Sequence, residues 1–223
     1  MGKEIEKRFF NFDKKEVMEK LKKMNAKSKG TYVFKVWKYH NNKNMNQDIH
    51  TLRVRDEGFR KTFTIKKRGG KEKYDTEWEV NIHNPEEMIK MMEMMEFDLD
   101  HHYQKVREIY QVGKSEVIFD SYPGMTNSME VESPSEQILS KMIKKLGLKD
   151  GDEDKKVDLD FYDKYGIKGG FDERILKGGK GGGYTFQNVL KNSNTLATKN
   201  KKEFKEYLKE QKSFYEKVKK MNS

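Results

Sequence analysis

Charged and apolar residues alternate with a period of two along much of the first 150 positions. Leu52 and Val54 oppose Arg53 and Arg55, and Phe63 and Ile65 oppose Thr64 and Lys66. Trp78 and Val80 oppose Glu77 and Glu79, Val106 opposes Lys105 and Arg107, and Met129 and Val131 oppose Glu130 and Glu132. At the N-terminus, Glu4, Glu6 and Arg8 share one side while Ile5 and Phe9 share the other. Successive side chains of a strand point to opposite faces, so each stretch predicts a strand with one apolar and one charged face. The pattern is weaker at 117–120, where Asp120 shares its face with Ile118.

Between these strands the apolar spacing lengthens to three and four residues, the helical period. A helix is predicted over 13–25, with Asp13 as its cap and Val17, Leu21 and Met24 as its stripe. A second runs over 84–96 behind Asn84 and Pro85, and a third spans "SPSEQILSKMIKKLGL" and closes at Gly147. Further strands are predicted at 31–39, 103–112 and 115–121. Strands outnumber helices and no βαβ rhythm repeats, which predicts an α+β fold with an antiparallel sheet and helices outside. Residues 1–148 read as one domain and 149–223 as an extension. The extension contains a glycine-rich linker at 169–183 and an amphipathic terminal helix turning Phe204, Leu208, Phe214 and Val218 inward. The methionines at 88, 91, 92, 94 and 95 read as packing residues of the second helix.

A single strand with a charged face is ordinary on a wet sheet. Six or more suggest that the charged faces look at each other across a closed sheet, whose alternation decides what lines the bore. That bore would hold Arg8, Arg53, Arg55, Lys66, Lys105 and Arg107 beside Glu4, Glu6, Glu77, Glu79, Asp120, Glu130 and Glu132. Buried charges of both signs must balance each other or a ligand. The cations suit a polyphosphate, with arginines as two-pronged donors. Clustered carboxylates call for a hard cation, Mg²⁺ or Mn²⁺, and the pairs Glu4/Glu6 and Glu130/Glu132 would floor its site. The net charge of +10 is in keeping with a polyanionic partner. There are no cysteines, which favours a reducing, cytoplasmic setting and excludes thiolate metal sites. The five histidines lack ligand spacing, and no apolar run is long enough for a membrane span.

The ordered motifs "EIEKR", "LRVR", "TIK", "EWE", "KVR", "IFDSYPGM" and "MEVE" resemble the CYTH, or triphosphate tunnel metalloenzyme, superfamily over roughly residues 3–148. Arg8 stands where that motif usually has lysine. The resemblance implies an eight-stranded antiparallel β-barrel tunnel with flanking helices and a C-terminal helical tail. It implies metal binding by Glu4, Glu6, Asp120, Glu130 and Glu132. It also implies triphosphate binding by Arg8, Arg53, Arg55, Lys66, Lys105 and Arg107, with Glu77 or Glu79 orienting them. Glu4, Glu6 and Lys66 are the expected catalytic residues.

The activity expected on these grounds is metal-dependent hydrolysis of tripolyphosphate or a nucleoside triphosphate. The alternatives are a class IV adenylyl cyclase, an RNA 5′-triphosphatase and a non-catalytic polyphosphate binder. The expected partner is a triphosphate-bearing small molecule, with an RNA 5′ end as a further candidate, no membrane, and a monomeric or homodimeric state.

Overall fold

The computed structural model describes residues 2–3, 5–10, 12–40, 45–69, 75–149, 164–167, 183–193 and 197–221. The predicted glycine-rich linker falls almost wholly outside these residues. The strands are β1 (Gly2–Lys3), β2 (Glu6–Phe9), β3 (Lys27–Tyr39), β4 (Ile49–Asp56), β5 (Lys61–Lys67), β6 (Thr76–Asn81), β7 (Leu99–Val112), β8 (Ser115–Ser121) and β9 (Ser128–Glu132). They form one sheet in the order β1-β6-β5-β4-β3-β7-β8-β9-β2, and the neighbours are antiparallel. β1 and β2 follow each other in the chain yet stand at opposite ends of this order. Counted as one strand, they make an eight-stranded curled sheet whose two edges both border the N-terminal segment.

Helices cover the convex face. α1 (Lys14–Lys23) and α3 (Glu136–Leu146) bury Val17, Leu21, Leu139, Met142 and Leu146 against Phe9, Val117, Phe119, Met129 and Val131. α2 (Pro85–Met94) sets Met88 and Met92, one helical turn apart, over Leu52 and Val54. α4 (Phe186–Asn192) and α5 (Lys201–Met221) bring Phe186, Phe214 and Val218 onto Val33 and Val106. The apolar half of the alternation therefore faces the helices, which leaves the charged half for the concave side. No described helix is long and apolar enough to cross a membrane.

The local signals act as the sequence predicts. The Asp13 carboxylate accepts the N–H groups of Lys15 and Glu16, and Asn84 does the same for Glu86 and Glu87. Gly147 ends α3 at φ +70°, a left-handed conformation that side chains with a Cβ resist. Two expectations need correction. Trp78 and Val80 are 44% and 56% exposed, because none of the described helices covers the outer face of β6. Met94 is 84% exposed, on the side of α2 away from its Met88–Met92 stripe, and Met91, at the edge of that stripe, and Met95, just past the end of the helix, are exposed as well.

Phe204 packs with Tyr165, Ile167 and Val189 in a small core belonging to the extension, while Phe214 and Val218 reach the sheet. The extension is also tied to the loop after β8. Buried Gln211 accepts the Gly124 N–H at 3.2 Å and donates to the Tyr122 carbonyl at 3.3 Å. Gln211→Leu leaves both backbone groups without these partners and is expected to cost about 1–3 kcal/mol. Denaturant unfolding measures this, and an unchanged midpoint would mean that the contact carries no stability.

Candidate active site

Alternation places residues 53 and 55 of β4, 64 and 66 of β5 and 77 and 79 of β6 on one concave wall. Pairing aligns Arg53 with Thr64 and Thr64 with Glu79, and Lys66 with Glu77. Glu77 lies 3.0 Å from the Lys66 ammonium and 3.3 Å from Arg53 Nη2. Glu79 accepts from Arg55 at 2.8 Å and from the Thr64 hydroxyl at 3.0 Å, and pairs with Arg60 at 3.1 Å. Glu57, almost fully buried, joins Arg55 and Arg60 at 2.6 Å each. Burial, reinforced by neighbouring Arg53, pulls the Arg55 guanidinium down to about 10 against the pull of its two carboxylates. Burial would raise the Glu79 carboxyl, but Arg55 and the other partners hold it below the usual range.

The facing wall comes from β2, β7, β8 and β9. Arg107 grips Asp120 with two bonds of 2.7 and 2.5 Å and reaches Glu130 at 2.6 Å. Lys105 donates to the same Asp120 at 2.7 Å, and Arg8 Nε donates to Glu130 at 2.9 Å. Burial drives the Lys105 ammonium down to about 8 despite Asp120, with Arg107 adding to the fall. Burial alone would raise the Glu130 carboxyl, but Arg107, Lys105 and Arg8 together hold it far below the usual range. Phe34, on β3 between the walls, has Arg55, Lys105 and Arg107 at 5.6, 5.3 and 5.3 Å from its ring centre.

One acidic group stands out between the walls. Carboxylate oxygens of Glu6, Glu130 and Glu132 lie within 4.8 Å of one another. Register explains the meeting, since Glu6 is directly opposite Glu132 and Glu130 stands two residues before it. Like charges so placed repel. An all-oxygen donor set of this kind fits a hard divalent cation. A cavity of about 610 Å³ joins the two walls, lined by Arg53, Arg55, Glu77 and Glu79 on one side and Arg107, Ile118 and Glu132 on the other.

Twelve of the residues singled out from the sequence thus lie in two ion-paired walls or in the carboxylate cluster: Glu6, Arg8, Arg53, Arg55, Lys66, Glu77, Glu79, Lys105, Arg107, Asp120, Glu130 and Glu132. Asp120 is on the same wall, but its carboxylate is engaged by Lys105 and Arg107 and lies outside the cluster. Glu4 lies outside the described residues.

Sequence reasoning passed over Glu57, Arg60, Phe34 and Tyr122. The first two sit in a hairpin turn, where period-two alternation lapses. Phe34 is an apolar residue on the charged face of β3. Tyr122, beyond the end of β8, has a hydroxyl 3.5 Å from Asp120, and burial with that carboxylate raises it well above its ordinary value. The only available signal was its place two residues after Asp120, on the same strand parity.

Glu6 opposite the Glu130/Glu132 strand and the arginines of the two walls all fall within residues 4–157, which a family model, the CYTH domain, matches. The chain belongs to the CYTH family. Solved structures share the fold. The PH1012 protein of Pyrococcus horikoshii is similar at a TM-score of 0.58 with 20% identity, covering 68% of this chain and 94% of its own. An adenylate cyclase candidate from Vibrio parahaemolyticus is similar at 0.59 with 16% identity, covering 68% and 92%. HpAC1 from Hippeastrum, described as having a dominant triphosphatase activity, is similar at 0.50 with 15% identity, covering 66% and 89%. No curated protein matches the chain in sequence. The CYTH match ends before α4 and α5, so the extension that packs on Val33 and Val106 is this chain's addition to the matched region.

Proposed function

We propose that this CYTH protein hydrolyses the terminal phosphoanhydride bond of a triphosphate within its curled sheet. The observation that carries this reading is the cavity itself, which sets the guanidinium groups of Arg53, Arg55 and Arg107 in one space with the Glu132 carboxylate. The guanidinium groups there present paired N–H donors that an anionic chain can accept from, and the carboxylates suit a cation bound beside it. A triphosphate chain offers non-bridging oxygens to the arginines and lysines and a charged end to a metal site.

In the reaction a water oxygen attacks the terminal phosphorus. The bond from that phosphorus to the bridging oxygen breaks, and the shortened polyphosphate or nucleoside diphosphate leaves with orthophosphate. Arg53, Arg55, Lys66 and Arg107 bind and align the chain and stabilise charge spread over its oxygens in a loose transition state. Glu77 and Glu79 hold those cations in place, so little reorganisation is needed. Asp120 does the same for Lys105 and Arg107. Glu6, Glu130 and Glu132 would hold a divalent cation, Mg²⁺ or Mn²⁺, which when bound draws negative charge from the phosphoryl oxygens. Glu6 and Glu132 also provide carboxylate oxygens near which the attacking water is oriented.

Incubation with tripolyphosphate or ATP and Mg²⁺ or Mn²⁺, followed by product separation, tests this. Orthophosphate release is the expected result. Cyclic AMP with pyrophosphate would replace this reading by a cyclase, and no turnover of either compound would overturn it.

Lys105 supplies a pH signature. Its ammonium titrates near 8, so the bore loses one positive charge as pH rises through that value. Triphosphate affinity is expected to fall across a step near pH 8 in the wild type and to lack that step in Lys105→Met. Because burial lowers this pKa from the ordinary 10.5, the unfolded chain binds more protons between the two values. Stability from this group therefore rises with pH across that window while binding falls. Identical pH profiles for the two proteins would remove Lys105 from the binding set.

A further inference from the structure

The charged cavity has an aromatic rim that triphosphate hydrolysis does not require. Tyr32 and Phe59 line the same space as Arg53, Arg55 and Arg107, at the end marked by the β4–β5 hairpin. Phe59 is 56% exposed, and its ring centre is 4.6 Å from that of Tyr32. Several contacts set the pair in place. The Asp56 carboxylate accepts the Gly58 N–H at 2.8 Å, and Gly58 takes φ +85°, a conformation natural to glycine, just before Phe59. Arg60 donates to Glu57 at 2.6 Å and lies 5.8 Å from the Phe59 ring centre. The Tyr32 hydroxyl donates to the Lys29 carbonyl at 2.6 Å. A second cavity, of about 400 Å³, opens against the same two rings and is lined further by Val33, Lys35, Asp56, Gly58 and Lys61. That volume falls in the range of small-molecule sites.

We infer that this rim is a binding site for the planar heterocycle of a nucleoside triphosphate, with the base on Phe59 and Tyr32 and the phosphate chain running into the bore. The inference rests on the triphosphatase reading above and adds the organic part of the substrate. Inorganic tripolyphosphate has no surface to offer an exposed phenyl ring, whereas every base has a π-face that stacks on one. The charges around the second cavity favour a neutral ring over a cationic one. Among the described residues lining it the one carboxylate, Asp56, stands in register between Lys35 and Lys61.

Titration calorimetry in EDTA, where metal-dependent turnover is suppressed, separates the parts. The probes are ATP and inorganic tripolyphosphate, and the proteins are wild type, Phe59→Ala and Phe59→Tyr. Phe59→Ala is expected to weaken ATP binding roughly 5- to 50-fold while tripolyphosphate affinity stays within about twofold, and Phe59→Tyr is expected to restore ATP binding. A thermal melt of each variant confirms that the hairpin is intact. Unchanged ATP affinity, or equal loss for both probes, overturns the inference. Wild-type binding of tripolyphosphate but not of ATP overturns it while leaving the triphosphatase reading in place. Binding of neither overturns this inference, while orthophosphate release with Mg²⁺ or Mn²⁺ decides the triphosphatase reading separately.

Discussion

Glu132→Gln, with or without Glu6→Gln, is expected to lower metal-dependent turnover by at least about 10³-fold while leaving the fold intact. The Glu6, Glu130 and Glu132 oxygens approach within 4.8 Å, so a cation held there would stabilise transition-state charge by several kcal/mol. Replacing one carboxylate by an amide keeps the shape but removes a charge and an anionic ligand. Glu6 and Glu132 are only partly buried and the amide keeps the side chain's shape, so the melting temperature should change little. Phosphate release and Mn²⁺ binding measured on the same preparations provide the check. Turnover near the wild-type rate in Glu132→Gln would dismiss the cluster as a metal site.

Asp120→Ala is expected to destabilise the protein by about 3–5 kcal/mol and to abolish activity as well. Asp120 is fully buried, and the Lys105 side chain is 7% exposed. Removing the carboxylate leaves the Lys105 ammonium without the partner it contacts at 2.7 Å and frees two donors of Arg107. The cost comes chiefly from the stranded buried charge rather than from the worth of the pair. A double variant, Asp120→Leu with Lys105→Met, should therefore recover much of the loss, since Arg107 keeps Glu130 at 2.6 Å. Additive destabilisation in the double variant would contradict this account. The pair of experiments separates residues that hold the bore together from residues that act on a ligand.

Such effects were partly foreseeable before any coordinates. Arg53, Arg55, Lys66, Glu77 and Glu79 are legible because period-two alternation is a local property, and each opposes a bulky apolar neighbour. Glu57 and Arg60 escaped because turn geometry aims their side chains, and a turn has no period. Phe34 escaped for the opposite reason. It looks like a core residue, yet its strand turns it among three cations, where an aromatic face serves as the counterpart of charge. Trp78 and Val80 show the limit of pattern reading in reverse. Their alternation is correct, but whether an outer face is covered depends on where the helices dock.

The amino-acid sequence by itself determined the strands, the two faces of each, the helix caps and the identity of the charges, because all of these follow from neighbours a few residues apart. Tertiary structure decided how those charges combine. Only strand register puts Glu6 opposite Glu132, only curling of the sheet puts Arg53 and Arg107 in one cavity, and only the packing of the extension brings Gln211 to Tyr122. These are long-range pairings, and no local period encodes the partner of a charge that lies a hundred residues away.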